Sequence, residues 1–308
     1  MFQTQEYELL DFGGGRKLER FAGCVTDRPS PPAFRFTPRS HGLWRSADLY
    51  FKEDASKGNQ DALGVRGCWQ PRTETGAKLL ESGWTLQYEK PDFSLELKGS
   101  PFGHLGVFPE QAPNWDRLYS LCLDGNRRLG RPLRVLNLFA YTGGSTLACA
   151  AAGAEVIHLD AARNIVGQAR RNAELSGLAG APIRWITDDA IKYTKREIKR
   201  EKKFDGIILD PPAYGHGAHG EVWRLTHDLP KLLELLLALI DQQYPFILLT
   251  CHSPGFDASR LQTLLSRLFT LKTETAIDAG SMSIPSAAGV TLSSGAFALM
   301  RPVNVNWE

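Results

Sequence analysis

From residue 114 onward the chain alternates short apolar runs with stretches of helical periodicity, and this alternation leaves little freedom in the fold. The apolar runs lie at 134–139, 155–159, 183–187, 206–209 and 245–250. Helical patterns at 144–152, 162–176, 189–202, about 221–241 and 257–268 follow them in turn, and a further helix is expected at 115–129. Strands joined through helices form right-handed βαβ units, so the expected core is a doubly wound, Rossmann-like α/β sheet, mostly parallel. Two more apolar runs, near 270–277 and 290–299, would close it with an antiparallel C-terminal hairpin. Ligands of such sheets bind at the carboxyl ends of the strands, beside the switch point.

The preceding residues read differently. They are rich in Gly, Pro and aromatics, with short alternating runs at 7–12, 84–89 and 93–98, which predict a small β-rich domain. The expected organisation is therefore a β-rich N-terminal domain over 1–113 and a Rossmann-like domain over 114–308. The polar stretch 52–64 reads as a loop. Three uses suit the β-rich region: a homodimer surface, a substrate clamp or a lid.

Bulk properties exclude several classes. Of the 308 residues 43% are hydrophobic and 23% charged, and the net charge of +2 provides no bulk field that would gather a polyanion, which leaves room for local basic patches. Residues 1–6 carry neither a basic region nor an apolar core, so no signal peptide is expected. No run reaches the ~18 to 20 apolar residues of a spanning helix, so no membrane partner is expected. The five cysteines are odd in number and form no C-x-x-C pair. That argues against a disulfide framework or a zinc site and for the reducing cytoplasm.

The chemistry is sought at the strand tips. The first tip carries Phe139, Ala140, Tyr141 and Thr142 before Gly143 and Gly144, where a dinucleotide fold would carry bare glycines for a pyrophosphate. Such a loop suits a ligand without phosphates, with helix N-terminal amides available for a carboxylate; otherwise it is an ordinary turn. Asp160 closes the second strand, placed either to accept two ribose hydroxyls or to cap the helix that follows. Asp189, after the third, has the same two readings, with an adenine amino group in place of the ribose. The fourth strand ends in Asp210-Pro211-Pro212, a carboxylate on backbone stiffened by two pyrrolidine rings, with Tyr214 two residues beyond.

A glycine turn, two acids and D-P-P on four successive strands resemble the class I S-adenosylmethionine-dependent methyltransferases. The turn N-L-F-A-Y-T-G-G, the helix end N-A-E-L-S-G-L (residues 172–178) and the stretch 102–115 are similar to the RlmI-type 23S rRNA cytosine-C5 methyltransferase group. The resemblance covers roughly 101–299; the earlier residues match weakly, and no RNA-binding PUA module of the kind the rRNA enzyme carries is recognisable in them. It implies S-adenosylmethionine as cofactor and ribosomal RNA as partner. It implies that residues 139–143 line the methionine part, Asp160 the ribose, Asp189 the adenine, and Asp210 with Pro211 the methyl sulfonium. Pro109, Glu110 and Gln111 would cover the site.

The acceptor atom is less constrained. Pro212 and Tyr214 are candidate substrate contacts, although the residue directly after Pro-Pro is Ala213 where exocyclic-amine enzymes resemble one another in carrying an aromatic. Carbon-5 of a pyrimidine needs a thiolate to add at carbon-6, and Cys251, at the tip of the fifth strand, is the candidate nucleophile. Its other reading is a small hydrophobe at a strand end. His252 is its neighbour, but successive strand side chains point oppositely. His216 and His219 read as part of a loop over the substrate, with no third ligand for a metal. Lys192, Arg196, Lys199 and Lys203 share one helical face, read as solvated and ion-paired in preference to a phosphate track. Alternatives to RNA methylation are methylation of a small molecule or protein, with Cys251 structural, and a non-catalytic nucleotide-binding module.

Overall fold

The computed structural model describes residues 2–39, 41–54, 66–216, 221–268 and 274–305. It divides into two compact units, residues 1–112 with 283–294, and residues 113–282 with 295–308.

The first unit is β-rich. Strands β1 (Tyr7–Gly13), β2 (Arg16–Phe21) and β3 (Cys24–Pro29) form an antiparallel meander. A short helix α1 (His41–Arg45) precedes β4 (Leu49–Glu53), which runs parallel to β3 and antiparallel to β5 (Gly67–Pro71). Lys52 and Glu53, expected in a loop, extend β4 because they pair with Cys68 and Gly67; the rest of that polar stretch lies largely outside the described residues. Helix α2 (Glu74–Ser82), capped by the Thr73 hydroxyl, leads into the hairpin of β6 (Trp84–Glu89) and β7 (Asp92–Leu97). The meander buries an ionic group as well as apolar side chains: Glu19 accepts from Arg28, Lys17 and the Tyr7 hydroxyl. These partners hold its carboxyl below the usual range against the opposing effect of burial.

In the second unit, α3 (Ala112–Leu129) is followed by β8 (Arg134–Leu138), α4 (Gly144–Ala151), β9 (Glu155–Asp160), α5 (Arg163–Leu175) and β10 (Ile183–Thr187). The chain continues through α6 (Ala190–Lys199), β11 (Gly206–Leu209), the small hairpin of β12 (Tyr214–His216) and β13 (Val222–Arg224), and α7 (Leu225–Leu237). It ends with β14 (Phe246–Cys251), α8 (Ala258–Leu268), β15 (Thr275–Pro285) and β16 (Thr291–Pro302). The seven-stranded sheet has the order β10-β9-β8-β11-β14-β16-β15, with β16 antiparallel to β14. The chain reverses its direction of growth between β8 and β11, so the switch point lies between their tips.

Side-chain alternation explains why the strands read as unbroken apolar runs. Ile207, Leu209, Ile247, Leu249 and Cys251 join the cluster built on α6, α7 and α8. Ile208, Phe246 and Leu248 join the cluster built on α3 and α4. Both faces are covered, so both parities are apolar. At the opposite end of the sheet, buried Asp205 accepts two hydrogen bonds of 2.8 Å from Arg131 and one of 2.7 Å from the Arg134 amide. No helix among the described residues is long and apolar enough to cross a membrane.

Candidate active site

The loop after β8 is held in a conformation that most residues avoid. Phe139 and Tyr141 both have left-handed backbones, at φ 56° and 50°, and Gly143 follows at 99°. Each non-glycine residue there costs on the order of 1–3 kcal/mol and persists only where its surroundings fix it. Here three contacts do so. The Asp160 Oδ2 accepts the Tyr141 N–H at 3.0 Å, the Ala140 N–H bonds to the Leu159 carbonyl, and the buried Asn172 amide donates to the Thr142 carbonyl at 2.8 Å. Asn172 opens the N-A-E-L-S-G-L segment, so this sequence element ties α5 to the loop. Gly144 serves close approach: a Cβ there would lie 2.6 Å from the Trp115 ring.

Behind the loop lies a polar cluster that the sequence did not advertise. Asn137 donates to the Thr146 hydroxyl at 2.9 Å, and that hydroxyl contacts His158 Nδ1 at 2.9 Å. His158 is fully buried against Trp185, its Nε2 has no hydrogen-bond partner, and burial pushes its pKa down to about 3. Burial thus favours the neutral imidazole, which lies beneath Gly143.

Asp160 is not the N-cap that was one of its two expected roles: Ala162 caps α5 without a side-chain bond, and Asp160 Oδ1 accepts the Ala162 N–H at 3.0 Å in the turn ahead of the helix. Burial raises its carboxyl, and the amides of Ala162, Tyr141 and Ala161 offset part of that rise. A carboxylate oxygen has two lone pairs, so both retain capacity toward a ligand. Asp189 is the N-cap of α6, accepting the Lys192 N–H at 2.8 Å through Oδ1. Thr187 and Asp160 pair across β10 and β9, which brings the two acidic tips side by side.

Across the switch point, Asp210 leaves β11 and its Oδ1 lies 3.2 Å from His252 Nδ1. Both continue the parity of Ile208 and Leu248, whereas Cys251 takes the opposite parity. The Cys251 side chain is 0% exposed inside the α6–α7–α8 cluster, and burial pushes its thiol up, while the Ser253 N–H, 3.4 Å from Sγ, works in the other direction. The Pro212 carbonyl accepts the Trp223 indole N–H at 2.7 Å. Trp223 also packs on Phe139 at 4.9 Å, so one indole braces the tips of both β8 and β11. Its segment was expected to be the start of the following helix, and instead β13 pairs with β12, leaving α7 to begin at Leu225. Pro212 is exposed and Tyr214 half-buried.

The remaining candidates are placed as follows. Pro109, Glu110 and Gln111 form a buried 3-10 turn of the first unit. His219 and the side chain of His216 lie outside the described residues, and among the described ones no group of three His, Cys, Asp or Glu is disposed to hold a metal. On the basic face, Arg196 pairs with Asp188 and Lys192 with Glu221, while Lys203 donates to the Ala238 carbonyl. Two of its four cations are thus ion-paired, with partners outside the i, i+4 pattern.

A bulky strained loop, two acidic tips and a braced Asp-Pro-Pro ledge flank the switch point. Its donor set fits S-adenosylmethionine: carboxylates for hydroxyl and amino groups, and a carboxylate with aromatic rings for a sulfonium. Residues 125–254 match the model of the S-adenosylmethionine-dependent methyltransferase family. The crystal structure of an S-adenosylmethionine-dependent methyltransferase from Agrobacterium tumefaciens is 32% identical and superimposes with a TM-score of 0.84, over 96% of this chain and 90% of that one. The chain belongs to the S-adenosylmethionine-dependent methyltransferase family. Among curated relatives, ribosomal RNA large subunit methyltransferase I of Aeromonas salmonicida is 40% identical over 82 residues, 26% of this chain and 21% of that protein. The 23S rRNA (uracil(1939)-C(5))-methyltransferase RlmD of Neisseria lactamica is 29% identical over 131 residues, 42% of this chain and 28% of that protein. The alignments thus span only about a fifth to a quarter of these relatives.

Proposed function

We propose that this protein transfers a methyl group from S-adenosylmethionine to a base of RNA. The observation that carries the reading is the pair of braced strand tips at the switch point, the 139–143 loop with Asp160 on one side and Asp210-Pro211-Pro212 on the other. RNA as acceptor is supported by the relatives, both of which are named for ribosomal RNA. In this reading residues 139–143 hold the methionine part, Asp160 the ribose and Asp189 the adenine, while Asp210 faces the sulfonium. The bound cofactor supplies an electrophilic methyl group. The chain's own task is to hold a flat acceptor on the ledge, against Pro212 and Tyr214, at near-attack distance.

Full burial of Cys251 and the upward pull on its thiol favour an acceptor that needs positioning without covalent activation. A second reading is carbon-5 methylation, favoured by the Ser253 N–H that stabilises a thiolate and by the RlmD relative. There Sγ adds to carbon-6, carbon-5 gains the methyl and loses its proton, and the Sγ bond breaks. The test is mass spectrometry of nucleosides from RNA treated with the protein and deuteromethyl-labelled cofactor. A labelled nucleoside supports the proposal and identifies the atom. Cofactor binding with no labelled nucleoside from any RNA fraction overturns the RNA acceptor.

A further inference from the structure

The first unit carries a surface that the cofactor site does not use. The segment between β3 and α1 runs Pro31-Pro32-Ala33-Phe34-Arg35-Phe36-Thr37-Pro38-Arg39, and α1 adds Leu43 and Arg45. Phe34 is 77% exposed and Phe36 42% exposed, and Arg35, Arg39 and Arg45 are exposed beside them. From Arg28 to Ala47 the sequence contains no Asp or Glu.

A stray exposed Phe in a floppy loop would mean little, but this backbone is pinned. Pro31–Ala33 form a 3-10 turn, and the amides of Phe34 and Phe36 bond back to Pro31 and Ala33. The Phe36 carbonyl accepts the Gly14 N–H at 2.8 Å, and the Ser30 N–H donates to Gly15 at 2.7 Å, both in the β1–β2 turn. Buried Asp11 then accepts the Arg39 N–H at 2.9 Å and the Trp44 indole N–H at 2.8 Å through one oxygen. Phe12 packs edge-on against the Phe36 ring at 4.8 Å. The fold thus expends a buried carboxylate to hold two phenyl rings in water among guanidinium groups.

We infer that this Phe34–Arg45 surface docks single-stranded RNA, with Phe34 and Phe36 stacking on unpaired bases and Arg35, Arg39 and Arg45 meeting phosphates. The inference rests on the RNA reading proposed above and deepens it. Stacking on an exposed ring demands a splayed base, which a duplex does not present. The absence of acids over the segment gives charge complementarity to a polyanion, whereas on α6 Lys192 and Arg196 are engaged by Glu221 and Asp188.

The test is fluorescence anisotropy with a labelled oligouridylate about a dozen nucleotides long, read against salt. The Phe34→Ala/Phe36→Ala protein should bind it more weakly by on the order of 5- to 150-fold per stacked base. The Arg35→Gln/Arg39→Gln/Arg45→Gln protein should lose about 2 from the slope of log affinity against log salt, at ~0.7 per phosphate contact. The triple Arg variant and Phe34→Ala alone should keep the wild-type melting temperature, whereas Phe36→Ala also removes the ring contact with Phe12; all should keep cofactor affinity, since the altered side chains lie outside the cofactor loop. Wild-type affinity and salt slope in both variants would overturn the inference while leaving RNA methylation standing. An altered sedimentation coefficient with unchanged oligouridylate affinity would also overturn it, marking a face for a second copy of the chain. A wild-type protein that binds the cofactor but no RNA would remove the parent reading and this one together.

Discussion

Asp160→Asn separates the two jobs assigned to this carboxylate, forming the turn and holding ribose. In the turn, the oxygens accept N–H groups from Ala162 and Tyr141, each at 3.0 Å. Asparagine keeps one oxygen and turns an NH2 toward the other amide, at a cost of about 1–3 kcal/mol for the lost bond. Against that, burial has raised the carboxyl despite the amides, so the charged form is held in the fold at a penalty that a neutral amide escapes. The two contributions oppose each other at similar size, and a residual of about 1 kcal/mol moves Tm by only ~2–4 °C in a unit of this size. Cofactor binding has no such compensation. Loss of a charge-assisted bond to a ribose hydroxyl costs about 1.5–3 kcal/mol, a weakening of roughly 10- to 150-fold. Titration calorimetry with S-adenosylmethionine and a thermal melt on the same sample measure both. The raised carboxyl adds a pH signature: it protonates earlier on acidification than an ordinary aspartate, so wild-type affinity should begin to fall above that range and the variant should show no such step. Cofactor affinity within about threefold of wild type would refute the ribose assignment. A collapse in Tm would show that the turn alone is what Asp160 supports.

Three other outcomes are expected. Cys251→Ala should retain methyl transfer within a few-fold in a radiolabel assay and lose about 1 kcal/mol of stability in denaturant titration, since a small buried group is deleted; abolished transfer would establish the carbon-5 mechanism instead. His158 is held neutral, with its pKa pushed down to about 3 from an unfolded value of about 6.5. Protonation therefore favours the unfolded chain, so stability should be full above pH ~6.5 and fall toward pH 3 by up to ~1.4 kcal/mol per unit, with His158→Gln flattening that limb in melts against pH. Gly144→Ala should drive a methyl into the Trp115 ring, destabilising the fold by about 1–3 kcal/mol and weakening cofactor binding measured by calorimetry.

Much of the second unit was legible because both faces of its sheet are covered. The strands then read as pure apolar runs, and the observed bounds of β10 and β11 coincide with the expected 183–187 and 206–209. What failed to show was set by non-local contacts. Val222, Trp223 and Arg224 continue the helical pattern that follows them, and only pairing with β12 makes them a strand. The hold of Trp223 on the Pro212 carbonyl was therefore invisible in the sequence. The pairing of β11 with β14 follows from a doubly wound sheet, but parity puts His252, and not Cys251, against Asp210. In the first unit, Lys17, Glu19 and Arg28 look like exposed strand positions, and their burial follows from mutual neutralisation across β2 and β3. Helix α2 was obscured in the same region although Thr73 ahead of Gly76 is a readable cap.

The most direct test of the account is transfer of tritiated methyl from S-adenosylmethionine to RNA from cells lacking this protein, comparing wild type with Asp210→Ala. The expected result is label in RNA that is nuclease-sensitive and protease-resistant, and strongly reduced with Asp210→Ala although that protein stays folded. Label in a protein or small-molecule fraction alone, with the cofactor bound, would contradict it.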